Sequence, residues 1–468
     1  MTVYSYYLVK YSYLTTYWSS NFVIQINSNS EYNFRMTKMT TKAIVNANVF
    51  DGEKMIGKKS IVFKDGIITS ICDELPDDVT EIINGEGATL LPGLIDAHVH
   101  TSVESLRDAL KFGITTELEM MGGFTKKGRE TQLKYITDIA DVRSAGMGLT
   151  APGGHPDELI PKGEGIPDFV LKEMEKMTEQ EKKAFIATHE AQKIEEESGP
   201  DVTTIEGAIA FVHRQVNNGA DYFKIMIEEG TVMNAPGLPM IKPEVLKAAV
   251  DEAHKLGKIA IAHVLTAEAA KIAIEVGVDG LAHLFIDRPD WTPELIKSIK
   301  DNEIFVTPCL VLNSSIIGKS GCHRVQDERV NQKLNEDWKV TMCSCFNTFP
   351  AGNMEDNFKN IKDIYDAGID ILVGTDVSVP MAHLGGLAHG ASVHHEMQLL
   401  VESGLTPIDA LKAATSVTAK RFSLFDRGLI QEGLRADLIL VNGDPTKNIS
   451  DSLSIAGVWK EGISYYKP

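Results

Sequence analysis

The sequence predicts an α/β protein, a (β/α)8 TIM barrel beside a small β-sandwich built from the two flanks of the chain. Three observations predict it. Apolar strand-like runs alternate with helix-like stretches through the middle of the 468 residues, the pattern of βα units on a parallel sheet. Eight strand candidates can be counted there, the number that closes such a barrel. Both flanks carry a different texture, short β-rich runs punctuated by Asp-Gly and Asn-Gly turn signals.

The elements follow in order. Residues 1–38 are rich in Tyr, Ser and Thr, with no acidic residue before Glu31. They read as a weakly structured extension outside the chemistry, with Met36 and Met39 as alternative starts. The extension lacks the basic start, apolar stretch and small-residue cleavage site of a secretory leader, so the cytoplasm is the default expectation. From Lys42 the runs AIVNANVF, KSIVFKDGIITSI and TEIINGEGATLL begin the β-rich flank, and ADLILVNGDP and SIAGVWKEGISYYK end it. Residues 42–91 and 427–468 are therefore expected to form one composite domain around a barrel of 92–426. The barrel strands are read in LIDAHVH, GITTELEM, GMGLTAPG, YFKIMI, IAIAH, GLAHLF, IFVTPCL and ILVGTD. Pro243–Gly257 and Thr266–Gly277 show apolar spacing of i, i+3, i+4 with a Gly stop, the mark of amphipathic helices. Two connections, near 155–205 and 309–357, are too long for ordinary loops and read as lids or substrate-binding insertions.

Composition excludes several classes of function. A net charge of −19 disfavours phosphate-backbone binding and adsorption on anionic lipid, so neither nucleic acid nor membrane is an expected partner. No apolar run reaches the ~18 residues of a transmembrane helix. Five cysteines in a chain this long are not a disulfide framework, and Cys343 and Cys345 are read as ordinary thiols.

The chemistry sits at strand ends. His98 and His100 end the first barrel strand, and their i, i+2 spacing puts both imidazoles on one face. His263 ends the fifth strand, His283 lies near the end of the sixth, and Asp376 ends the eighth. Singly, each reads as a satisfied polar group or a helix cap. Together, at the carboxyl ends where such barrels carry their active sites, they read as a metal site. Lys224 lies in the fourth strand between Phe223 and Ile225. Burial there favours its neutral amine, which reacts with CO2 to give an anionic carbamate able to bridge two cations. The alternatives are snorkelling to the barrel mouth or pairing with Glu117 or Glu119. Charge and donor type suit two divalent ions, Zn²⁺ first, with Mn²⁺, Co²⁺ or Fe²⁺ as substitutes. Such ions bring the pKa of a shared water towards ~7. His155, in the third βα loop, faces the predicted mouth as a candidate substrate contact. Tyr222 shares its side of the strand with Lys224, so it is a candidate for the same role or for packing. The later group His383, His389, His394 and His395 is not spaced as a second metal site.

HVH after LLPGLIDA, the strand-four Lys, the two later His and the GTD Asp resemble the amidohydrolase superfamily. The tail GLTPIDALKAATSVTAKRFSLFDRGLIQEGLRADLILVNGDP resembles that superfamily's C-terminal signature. GADYFKIM is similar to its branch of imidazolonepropionase-like hydrolases, Xaa-Pro dipeptidases and ochratoxin-cleaving amidases with carboxylated lysine. The resemblance implies that His98, His100 and Asp376 hold one ion, that His263 and His283 hold the other, and that carboxylated Lys224 bridges them. It also implies that a bridging hydroxide attacks the carbonyl, with Asp376 as general base and then acid. Relatives usually place small residues after the Lys-Ile-Met stretch, whereas this chain has Ile227, Glu228 and Glu229. That acidic pair is read either as a recognition element for a cationic side chain or as a solvated pair.

The expected function is thus cleavage of a C–N bond in a small-molecule amide or dipeptide by a binuclear amidohydrolase. One alternative is a mononuclear deaminase or imidazolonepropionase-type ring hydrolase. Another, of a different class, is a catalytically silent barrel scaffold. Relatives of this architecture are often dimers or larger, which leaves room for a homo-oligomer.

Overall fold

The computed structural model describes residues 40–131, 133–159 and 200–466. The expected extension 1–38, and 160–199 within the insertion near 155–205, lie outside the described residues. Five strands come first, β1 (Thr41–Phe50), β2 (Met55–Lys64), β3 (Ile67–Cys72), β4 (Val79–Asn84) and β5 (Thr89–Pro92). The alternation then begins with β6 (Leu94–Val99), α1 (Val103–Leu110), β7 (Ile114–Glu119), α2 (Lys126–Thr131) and β8 (Asp141–Ser144). It continues through α3 (Ile205–Asn217), β9 (Phe223–Ile227), α4 (Pro243–Lys255), β10 (Ala260–Val264), α5 (Ala267–Val276) and β11 (Gly280–Ala282). Next come α6 (Thr292–Asp301), β12 (Phe305–Thr307) and α7 (Leu310–Ile316), with three short helices α8 (Cys322–Val325), α9 (Glu328–Asn331) and α10 (Glu336–Met342). The chain ends with α11 (Met354–Asp366), α12 (Ala391–Glu402), α13 (Pro407–Ala413), α14 (Ser416–Arg421), β13 (Leu438–Val441), β14 (Ile455–Lys460) and β15 (Ile463–Tyr466).

The protein is therefore α/β. Strands from both ends of the chain share one eight-stranded sheet, in which β5 lies between β1 and β13. Its own core gathers Ile44, Val49, Phe63, Leu90, Leu438 and Trp459. In the middle of the chain, β6, β7 and β8 form one parallel sheet and β9 to β12 another. Single bridges continue these sheets, joining Leu149 to Ile225, Val306 to Ile371 and Val99 to Val377. The residues of β6, β7, β9 and β10 are buried throughout, as expected of parallel strands covered on both faces.

Alternation along the strands sorts side chains between two cores. Phe223, Ile225 and Ile227 pack in the large core that includes the helices. Tyr222 packs in a second cluster with Ile95, Leu118, Ile261, Phe305 and Leu372. With a period of two, Lys224, Met226 and Glu228 follow Tyr222 to that inner side. The helices form where the pattern placed them. Pro243 starts α4 at its first turn, and Val245, Leu246, Ala249, Val250 and Ala253 form its buried stripe. Thr266 caps α5 by accepting from Ala269 N–H, and Gly277 ends it in the left-handed conformation at φ 87°.

Two expectations are corrected. The third strand is Asp141–Ser144, and GMGLTAPG contributes only the single bridge at Leu149. Polar Asp141 and Arg143 alternate with buried Val142 and Ser144, so the strand lacks the apolar run used to find the others. Cys343 is not an ordinary thiol. It forms a disulfide with Cys322 across 21 residues of sequence, because α8 and α10 bring their ends together, while Cys72, Cys309 and Cys345 remain free. Among the described residues no helix is long and apolar enough to cross a membrane.

Candidate metal centre

The ends of β6 and β11 and the segment between the Ile371 and Val377 bridges, which replaces the expected eighth strand, bring His98, His100, His283 and Asp376 together. His98 Nε2 and His100 Nε2 lie 3.1 and 3.0 Å from Asp376 Oδ1, and His283 Nε2 lies 3.8 Å from Oδ2. The ring of His263 sits 4.6 Å from that of His283, centroid to centroid. His283 and Asp376 both adopt left-handed backbone, with φ of 75° and 58°. That conformation is costly for residues with a Cβ and clusters at functional sites.

Hydrogen bonds fix the ligand orientations. His100 Nδ1–H donates to Met121 O at 2.9 Å, which leaves Nε2 with its lone pair towards Asp376. Asp96 accepts from the Thr375 hydroxyl at 2.7 Å and from the backbone N–H groups of Thr375 and His98. It thereby ties the first strand to the segment that carries Asp376. His389, one of the later histidines, faces Glu117 at 2.8 Å, with both side chains fully buried, and Thr101 donates to the same carboxylate. His394 bonds the Ser452 hydroxyl and Phe112 O. These partners give His389 and His394 structural roles.

Burial sets the protonation states. It lowers His98 to about 4, with help from the Lys224 charge, and holds His263 and His283 well below the usual imidazole range. Neutral imidazole is the form that binds metal. Burial would raise Asp376, but His98, His283 and His100 outweigh it and keep the carboxylate ionised. Burial also lowers Lys224 to about 8, against the pull of Asp376 and Cys309. Lys224 is 1% exposed, and among the described residues its Nζ has no hydrogen-bond partner. Glu117 is engaged by His389 and Thr101, and Glu119 Oε2 accepts from the Ser144 hydroxyl at 2.5 Å. Neither carboxylate answers the lysine.

The donors fit a cation. Among the described residues Lys224 Nζ, His263 Nε2, His283 Nδ1 and Asp376 Oδ1 are all buried without a hydrogen bond, an expensive state for polar atoms. Among the described residues two groups of three donors lie within 4.8 Å of one another, His98–His100–Asp376 and His98–His283–Cys309. The first is the set expected for one ion. His263 is in neither group.

Two neighbours escaped sequence reasoning. Cys309 Sγ lies 3.8 Å from His98 Nδ1. This residue follows the seventh strand, so the strand-end rule that found the histidines applied to it as well. Glu228 Oε2 lies 3.4 Å from His263 Nε2. The Glu228 carboxyl is buried and raised to about 7 by that burial, so the solvated reading fails for Glu228, while Glu229 is only half-buried. His155 does reach the site, its ring 4.3 Å from that of His263 and its Nδ1–H donated to Glu158 at 2.6 Å. Tyr222 is used otherwise. Its hydroxyl is shared between Glu119 O and Arg143 O at 2.9 and 3.0 Å, which gives it a packing role.

The chain is similar to several known proteins. An ochratoxinase of Aspergillus niger is 25% identical over 268 residues, which are 55% of this chain and 48% of that protein. The chain thus spans about half the length of the curated relatives it matches. The crystal structure of the A. niger ochratoxinase superposes with a TM-score of 0.65 at 20% identity, covering 92% of this chain and 97% of that one. A Xaa-Pro dipeptidase with methionine bound in its active site gives 0.64 at 22% identity, covering 91% of this chain and all of that one. At such identities the structural likeness speaks for the fold alone. The model of the amidohydrolase family matches residues 89–463, from the strand before the HxH pair to the last strand of the flanking sheet, and the chain belongs to that family.

Proposed function

We propose that this protein is a binuclear, metal-dependent hydrolase of C–N bonds in small-molecule amides, with N-acyl amino acids and dipeptides as the first substrates to test. The observation that carries the reading is Lys224, a buried amine with no hydrogen-bond partner among the described residues, close to His98, His263 and His283, whose imidazoles burial keeps neutral. A carbamate on that amine would give the two ions a shared anionic ligand. His98, His100 and Asp376 would hold one ion, and His263 and His283 the other. Divalent ions bound there, Zn²⁺ first, supply Lewis acidity that polarises a carbonyl and acidifies water. The remaining work belongs to side chains. Asp376, kept ionised by its imidazole neighbours, takes a proton at Oδ2 from the attacking water and returns it to the leaving nitrogen. His155 faces the substrate side of His263 and orients a carbonyl or carboxylate.

The frame for this site is a closed (β/α)8 barrel of residues 92–426, with 42–91 and 427–468 folded as a composite β-sandwich. The bridges at Leu149, Val306 and Val99 support closure. The Cys322–Cys343 bond weighs against the cytoplasmic expectation, since disulfides persist mainly in oxidising compartments.

Metal content and turnover test the reading together. Protein prepared with bicarbonate should bind about two ions per chain and cleave members of an N-acyl amino acid and dipeptide panel. Lys224→Ala should lose metal and turnover in parallel. Full turnover by that variant refutes the bridging role, and one ion per chain in the wild type favours the mononuclear deaminase class.

A further inference from the structure

We propose that a cavity at the amino ends of the parallel strands, away from the candidate metal centre, binds a small dianion, a phosphate ester or a dicarboxylate. The proposal stands independently of the hydrolase reading.

The cavity measures about 610 Å³, within the range that holds a small metabolite. Its walls come from distant parts of the chain. The short helical turn Leu133–Tyr135 brings Lys134, the segment entering β10 brings Lys258, and the end of β14 brings Lys460. Asp141, the first residue of β8, and Asp221, just before β9, also line it. These positions mark the amino ends of the strands, whereas His98 and His263 stand towards the carboxyl ends of β6 and β10. At ~3.3 Å per residue along β10, the cavity and the metal centre lie on the order of 15 Å apart.

The lining reverses the charge of the molecule. The whole chain has 46 lysines and arginines against 65 acidic residues, but seven lysines and arginines line the cavity against four carboxylates. Each of those carboxylates already faces a lysine or arginine of the lining, at 2.8 to 3.8 Å. Among the described residues Lys134, Lys258 and Lys460 form no ion pair. Lys460 Nζ donates to Ile139 O at 2.8 Å, and burial lowers its pKa against the pull of Asp141 and Glu461. An anion in the cavity would meet three ammonium charges left over by the lining, and a cleft with low-dielectric walls focuses such a field. Ammonium groups act as point charges with freely rotating donors, which suits phosphate or a pair of carboxylates. The surplus calls for more than one negative charge on the ligand.

The test titrates glycerol 3-phosphate and succinate into the full chain by calorimetry, with chloride as the monovalent control. At least one of the two dianions is expected to bind saturably at millimolar concentration or below and to raise Tm. The tighter binder tells a phosphate ester from a dicarboxylate. Lys134→Ala/Lys258→Ala should weaken that binding by about tenfold or more, since two charge-assisted contacts go, with Tm unchanged when no dianion is added. Lys134→Arg/Lys258→Arg keeps both charges and should bind within about threefold of wild type. Stripping the protein with a chelator should leave the affinity as it was. Equal affinity in wild type and the alanine variant, no saturable binding of either dianion, or binding that vanishes with the metal overturns the proposal.

Discussion

Gly374 shows how little room the centre allows a single residue. A Cβ there would lie 2.3 Å from Thr307 Cγ2, 3.0 Å from His98 Cβ and 3.1 Å from the His98 backbone nitrogen. The segment carrying Asp376 thus packs directly on the residue it must meet. Gly374→Ala should force the two apart, costing roughly 1–3 kcal/mol of stability by overpacking and weakening metal binding at least tenfold. Calorimetry and a metal titration check this, and unchanged affinity would contradict it. The strand-end rule named side chains that the fold brings close to one another, His98 and Asp376 and His263 and His283. Cys309 and Glu228 were harder to read. A lone thiol and an acidic pair acquire meaning only from neighbours hundreds of positions away or on an adjacent strand. The lysine's isolation was equally invisible, because it depends on Glu117 and Glu119 being taken by His389, Thr101 and Ser144.

Among the elements, α7 depends on a side chain from α12. Both Glu396 carboxylate oxygens accept backbone N–H groups at its start, from Leu310 and Val311 at 2.8 Å each. The glutamate is wholly buried and does for this helix what a capping residue does elsewhere. Glu396→Ala leaves two buried donors unmet, at about 1–3 kcal/mol apiece. It should therefore lower stability by roughly 2–4 kcal/mol in urea unfolding, and a variant as stable as wild type would refute the cap. Element boundaries were legible where local chemistry dictates them. The Pro start of α4 and the Thr cap and Gly stop of α5 need no tertiary partner. The third strand was illegible for the opposite reason. Asp141 and Arg143 are tolerated there only because charges from the distant tail surround them.

That surrounding joins the molecule's two regions. Arg427, its side chain 2% exposed, donates to Asp141 Oδ2 at 2.5 Å and to the Thr116 hydroxyl, and Arg435 and Arg143 also face Asp141. Burial would raise the Asp141 carboxyl, but Arg427, Arg143 and Arg435 together hold it well below the ordinary range. Its folded pKa lies below the unfolded value of ~3.9. The stabilisation is therefore full above about pH 5 and drains away as acid carries the protein through the unfolded pKa and below. Asp141→Asn should melt earlier than wild type at pH 7, and the gap should narrow below about pH 4. A gap that widens in acid would refute the assignment. The eight-stranded sheet carries a different consequence, one for biosynthesis. Leu90 of β5 pairs with Val49 on one side and Leu440 on the other. A ribosome that has just released β5 exposes a strand with one bare edge, and the partner for that edge is translated only after the whole intervening α/β region. A message cut short near its 3′ end would therefore yield a nascent polypeptide with an open, sticky border, a natural target for chaperones and proteases.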